Sequence, residues 1–223
     1  MSRNFLIYTA SGAENLGDEC ILASEILLLL REDKNAVITV VTYNAVSTQS
    51  ALLSIFSKVD IEQVDISPKD ISTLLLNISF IPYFPDKMKK FPLRNLLNLG
   101  KNIFSILLCD EIIIGGGGLI YDIEKEQLFS KLRMEWEIRI FFAKLFRKNI
   151  RFWNIGIDVR PENLITIKHW FSSNKTQVTV RDSYSQKLLT EAGISSKKTQ
   201  DSVLSLPFKK QKSLSKSTKQ NDA

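Results

Sequence analysis

The chain has 223 residues, 44% of them hydrophobic, enough for one substantial core or at most two small ones. Its net charge of +6 gathers after residue 207, where five lysines stand against Asp222 for a net of +4, so the body is near balance. A nucleic-acid binder would instead concentrate Lys and Arg on a folded face with aromatics to stack on, and the sequence has no such face.

Short β-branched runs alternate with longer helical patterns, which predicts βαβ units and a parallel sheet. Phe5–Thr9 reads as the first strand and is too short for a signal-peptide core. A polar turn follows, then a helix from about Asp18 to Arg31. Within it the apolar stretch Ile26–Leu30 is bounded by Glu25 and Arg31, far short of the ~20 residues of a membrane span. Ala36–Thr42 is a continuous apolar run, as in a strand buried on both faces. Thr48–Phe56 follows as a helix and Ile61–Ile66 as a weaker third strand. Ser79–Pro92, with three prolines, three Phe and one Tyr, reads as an irregular excursion. Leu96–Leu108 is helical, and Glu111–Ile114 is a strand running into Gly115–Gly118. Beyond these come a helix over Ser130–Phe146, a strand over Arg151–Ile155 and a helix over Glu162–Phe171. Val178–Val180 is a strand, Ser183–Ala192 a helix ended by Gly193, and Thr199–Leu204 a last short strand.

The expectation is one α/β domain over residues 1–207, a doubly wound, mostly parallel, Rossmann-like sheet, followed by a basic disordered tail over 208–223. Cys20 and Cys109 lie far apart, outside any CxxC or Cys/His spacing, and read as small buried residues. The chain reads as cytoplasmic, without a transmembrane segment.

Ligands of such sheets sit at the carboxyl ends of the strands, and three segments fall there. The first, Thr9 to Glu19, brings Asp18 and Glu19 to a helix start, where carboxylates are favoured by the positive helix end. Taken alone, the segment reads first as local structure, with Asp18 a helix cap and Gly12 and Gly17 turn residues. The second carries Gly115, Gly116, Gly117 and Gly118 ahead of Asp122. Such a run allows close backbone approach to a ligand and an anion-binding nest, or alternatively a sharp bend. In the third, Val178–Ser185, Arg181 and Asp182 end a strand and open a helix. Asp182 or Ser183 would cap that helix, while Arg181 is either a fixed cation for phosphate or carboxylate or the partner of a cleft carboxylate.

Taken in order, these segments resemble the polysaccharide pyruvyl transferase family. Asn15, Gly17, Asp18 and Glu19 match its first loop, and Gly115–Gly118 with Asp122 its glycine run. Asn154-Ile-Gly-Ile matches a later strand end. Thr179, Arg181, Asp182, Ser185, Leu188, Leu189 and Gly193 match its last signature, with Gln200-Asp-Ser closing the domain. Ser11-Gly-Ala-Glu14 departs from the family's usual first-loop pattern, and the family's basic and histidine cluster has no counterpart; the lone His169 reads as a packing or surface residue.

The resemblance implies transfer of a pyruvyl group from phosphoenolpyruvate to a glycan or lipid-linked sugar, forming a cyclic ketal in cell-envelope or exopolysaccharide biosynthesis, with no cofactor and no metal. It implies a GT-B-like enzyme of which this chain is the N-terminal half, its site completed by a second domain or by another copy. Asp18 and Arg181 are then the candidate catalytic residues. Asn15, Gly17, Glu19, Gly115–Gly118, Asp122, Asp182 and Ser185 are the candidate substrate-binding residues. Two other readings stay open: a non-catalytic anion-binding module, and half of a GT-B glycosyltransferase that uses a nucleotide sugar.

Overall fold

A computed structural model of the chain describes residues 2–13, 15–60, 75, 77–83, 92–122 and 126–209. Its elements run β1 (Asn4–Tyr8), α1 (Leu16–Glu32), β2 (Val37–Thr42), α2 (Ala45–Lys58), β3 (Ile78–Pro82), α3 (Pro92–Leu108), β4 (Glu111–Ile114) and β5 (Gly117–Tyr121). They continue with α4 (Glu126–Leu145), β6 (Asn149–Asp158), α5 (Pro161–Ile167), β7 (Thr176–Val180), α6 (Ser183–Glu191) and β8 (Lys197–Lys198). Single 3-10 turns occupy Lys168–Trp170 and Ser202–Ser205.

The strands form one sheet in the order β3-β2-β1-β4-β6-β7-β8, with β5 also paired to β6, and every strand pairing is parallel. This is the Rossmann-like α/β architecture, with the order reversing between β1 and β4. Side chains alternate along each strand and divide the core in two. Phe5 and Ile7 of β1 and Ile113 of β4 pack with Leu22, Ile26, Leu52 and Phe56 of α1 and α2. Leu6, Tyr8, Ile112 and Ile114 face the opposite way, onto Ile106, Trp136, Ile140, Leu164 and Leu189 of α3–α6. Burial on both faces is why these strands read as continuous apolar runs.

Several local expectations change. Ile61–Ile66 lies outside the described residues. Part of the proline-rich excursion is a strand: β3 pairs with β2 from Ile38↔Ile78 to Thr42↔Pro82, and Pro82 is tolerated because it ends the strand. The glycine run is not one open loop, since Gly117 begins β5. β6 has ten residues because its first half pairs with β4 and its second half with β5. The two halves meet at an irregularity where Asn154 adopts φ +53°, held by its Oδ1 accepting from the Thr199 hydroxyl and its N–H donating to Thr179 Oγ1 at 2.9 Å. The last strand lies at Lys197–Lys198 rather than over Thr199–Leu204, because Asp201 caps a 3-10 turn by accepting the Val203 N–H at 3.1 Å. Backbone pairing continues past residue 207, with Phe208 bridging Val59 and the Lys209 N–H donating to Lys58 O at 2.9 Å. No described helix is long and apolar enough to cross a membrane.

Phe152 of β6 is 1% exposed and its ring centroid lies 4.6 Å from that of Phe171. Phe152→Ala should lower stability by about 3–5 kcal/mol in urea unfolding. A loss under about 1 kcal/mol would mean that the β6 core is not packed as described.

Candidate functional site

The crevice of a doubly wound sheet opens where the strand order reverses, and here that point separates the loops after β1 and β4. The β1 loop is fixed by its own backbone. Gly12 adopts φ +81° and donates its N–H to Glu19 Oε1 at 2.6 Å, while Ser11 O accepts the Tyr43 N–H at 3.1 Å and the Thr42 hydroxyl at 3.0 Å. A side chain at Gly12 would collide with the Asn44 backbone and Thr42. Glu19 is buried and therefore holds the loop rather than facing solvent. Asn15 caps α1 by accepting the Gly17 N–H at 3.0 Å and presents its amide to Asp18 Oδ2 at 2.9 Å. Burial pushes the Asp18 carboxyl up from its ordinary range, while the Asn15 amide and the Arg181 charge draw it back.

Behind the β4 end lies a buried acid. Glu25 of α1 is 0% exposed and accepts the Gly116 N–H on Oε1 at 2.6 Å, while its Oε2 has no hydrogen-bond partner among the described residues. A Cβ at Gly115 would overlap the Glu25 carboxyl, so glycine here admits the acid against the backbone. The Gly115 N–H donates to Tyr8 O at 2.8 Å. The anion nest expected from the glycine run is therefore occupied at Gly115 and Gly116 by acceptors of the protein itself, and Gly117 pairs with Ile155 in the sheet. Burial raises the Glu25 carboxyl to about 8, against the pull of the Gly116 N–H and with a further push from the charge of Asp201.

The third segment places Arg181 at the end of β7. Its guanidinium lies over Gly156 of β6, where a Cβ would meet Nε at 3.0 Å, and its Nη1 is 4.0 Å from Asp201 Oδ2. Asp182 caps α6, accepting the Ser185 N–H at 2.7 Å and the Ser185 hydroxyl at 3.0 Å. Ser185 is buried and its Oγ also accepts the Ile157 N–H at 2.9 Å. Asp122 accepts the Arg160 N–H at 2.7 Å and the Asn163 amide at 2.9 Å, tying the end of β5 to the start of α5. A cavity of about 580 Å³ opens between the ends of β5 and β6 and the start of α6, with Tyr121, Asp158, Arg181, Asp182 and Tyr184 on its walls.

Of the residues singled out by sequence, Asp18 and Arg181 are thus within electrostatic reach of one another, with Asn15 and Gly17 supporting Asp18. Glu19, Asp122, Asp182 and Ser185 hold the loops that carry the site. His169 is half-exposed on the surface, its Nε2 2.8 Å from Glu137 Oε2. Glu25, Tyr121, Asp158 and Tyr184 were not singled out. Glu25 had a signal, since it follows Ile21 by four residues and Leu22 by three and so falls on the apolar stripe of α1. Among the described residues no group of three or more His, Cys, Asp or Glu is arranged to hold a metal ion.

The family model described as polysaccharide pyruvyl transferase matches residues 15–222, nearly the whole chain and beyond the compositional break at residue 207. No curated protein and no solved structure gives a match.

Two outcomes follow from this geometry. Gly12→Ala should lower stability by at least about 2 kcal/mol, because the positive φ and the contact with Asn44 cannot both be relieved locally; chemical unfolding measures it. Between pH 4.5 and about 8 folded Glu25 keeps a proton that the unfolded chain has released. Stability should therefore fall as pH rises through that window, by up to ~1.4 kcal/mol per pH unit, and level off above it. Glu25→Gln should flatten the profile, and equal slopes in variant and wild type would refute the assignment.

Proposed function

The chain belongs to the polysaccharide pyruvyl transferase family, and from that premise we propose that it transfers a pyruvyl group from phosphoenolpyruvate to a sugar of a glycan or lipid-linked acceptor in the cytoplasm. The observation that carries this reading is that a partly buried carboxyl, Asp18, lies within electrostatic reach of the Arg181 guanidinium at the carboxyl edge of the sheet. The donor bears a carboxylate and a phosphate, and the Arg181 fork matches either group. Further cations come from a second wall, supplied by another Rossmann-like domain or another copy of the chain in a GT-B-like arrangement.

In the proposed reaction a proton passes from Asp18 to the methylene carbon of the enol, creating the methyl group and a cationic C2. A sugar hydroxyl oxygen bonds to C2 and its proton returns to the Asp18 carboxylate. The C2–O bond to phosphate then breaks, a second hydroxyl closes the ketal ring, and its proton leaves with the phosphate. An Asp18 carboxyl raised by burial suits this exchange, since it holds a proton more readily than an exposed aspartate.

Asp18→Asn and Arg181→Ala should each reduce transfer by at least ~100-fold in the complete enzyme with the fold intact. Unchanged turnover in both would remove the assignment. Calorimetric titration with phosphoenolpyruvate, UDP-hexose and inorganic phosphate tests the donor. Selective phosphoenolpyruvate binding that Arg181→Ala abolishes is the expected result, and selective UDP-hexose binding would overturn it.

A further inference from the structure

The cavity beside Arg181 is larger than a three-carbon donor needs. Its volume of about 580 Å³ falls in the ~300–1,000 Å³ range of pockets that enclose a drug-sized ligand. Its walls carry two exposed aromatic rings, Tyr121 (37% exposed) at the end of β5 and Tyr184 (58% exposed) in the first turn of α6. Neither phenol hydroxyl has a hydrogen-bond partner among the described residues, so each offers an apolar ring with an open polar tip.

The carboxylates of this region divide sharply. Asp122, Asp182 and Asp201 each accept backbone N–H groups that fix a loop or a helix start. Asp158, exposed at the end of β6, has no side-chain partner among the described residues. An open carboxylate flanked by aromatic rings suits a neutral, polyhydroxylated ligand: the rings take the C–H face of a pyranose, and the carboxylate accepts from its hydroxyls. A nucleotide would also stack on the rings. Its diphosphate, however, would face Asp158 and Asp182 with Arg181 as the one cation among the described lining residues.

Building on the function proposed above, we propose that this cavity is the acceptor subsite, in which a pyranose unit packs on Tyr121 and Tyr184 and presents hydroxyls to Asp158. Arg181 belongs both to the donor site and to this wall, so the acceptor hydroxyls lie beside the carbon they attack.

The test is saturation-transfer NMR on the full chain with methyl β-galactopyranoside and methyl β-glucopyranoside at millimolar concentration, paired with phosphoenolpyruvate calorimetry on the same samples. At least one hexoside should bind wild type, and Tyr184→Ala and Asp158→Asn should each weaken it by about tenfold or more. Tyr184→Phe, which keeps the ring, should retain most of the affinity and guards against a folding artefact. Phosphoenolpyruvate affinity should stay within about twofold of wild type in all three variants. Absence of hexoside binding to wild type, or equal binding by wild type and variants, would overturn the subsite, as would Tyr184-dependent capture of UDP-hexose alone. Hexoside binding that needs Tyr184 and Asp158 without phosphoenolpyruvate binding would leave the acceptor subsite standing and defeat the donor assignment.

Discussion

The hydrogen bond between the Gly116 N–H and the Glu25 carboxyl joins the two halves of this fold at the point where the sheet reverses its strand order. On one side lie β1 and α1, which deliver Asn15 and Asp18; on the other β4 breaks off, and β5 resumes along β6 toward the cavity. The junction works only because Gly115 carries no side chain and because burial keeps Glu25 protonated at neutral pH. An ionised Glu25 there would sit against the charge of Asp201, which in turn faces Arg181. The charge on a helix residue with no surface exposure therefore bears on a cation at the crevice.

Polar side chains at the carboxyl edge serve two purposes, and the hydrogen bonds separate them. Those bound to backbone N–H groups, such as Glu19, Asp122 and Asp182, shape loops. Those not tied to backbone groups, Asp18, Asp158 and Arg181, are the ones with capacity to meet a ligand. A family signature does not distinguish these groups, because a residue that shapes a catalytic loop is as constrained as one that acts in it. Gly156 belongs with the first: it leaves the space into which the Arg181 guanidinium settles.

The sheet and its helices were legible in the sequence because strands buried on both faces appear as unbroken β-branched runs, as Val37–Thr42 and Glu111–Ile114 do. What escaped was set by tertiary pairing. Ile78–Pro82 resembles a loop until β2 offers it an edge, and β6 looks half its length until β4 and β5 are seen to share it. At the site, Asp18 and Arg181 carried their own signals at a helix start and a strand end. Glu25 was masked as the polar border of an apolar stretch, and Asp158 is one aspartate among many until its neighbours prove to be engaged elsewhere. The glycines invited an anion nest, yet which acceptor an N–H meets depends on a side chain 91 residues away.

The parallel pairing has a consequence for how the chain is made. β1 is the central strand beside the reversal, and its partner on that side, β4, follows only after three helices and two strands of the described residues have been synthesised; the Asn4 N–H meets the Asp110 carboxylate across 106 residues of chain. Until Glu111–Ile114 leaves the ribosome, one edge of Phe5–Tyr8 has no strand to pair with, although β2 is already available on the other. The nascent domain thus passes through a stage with an apolar edge open to other chains, when early binding by a chaperone would do most to protect it.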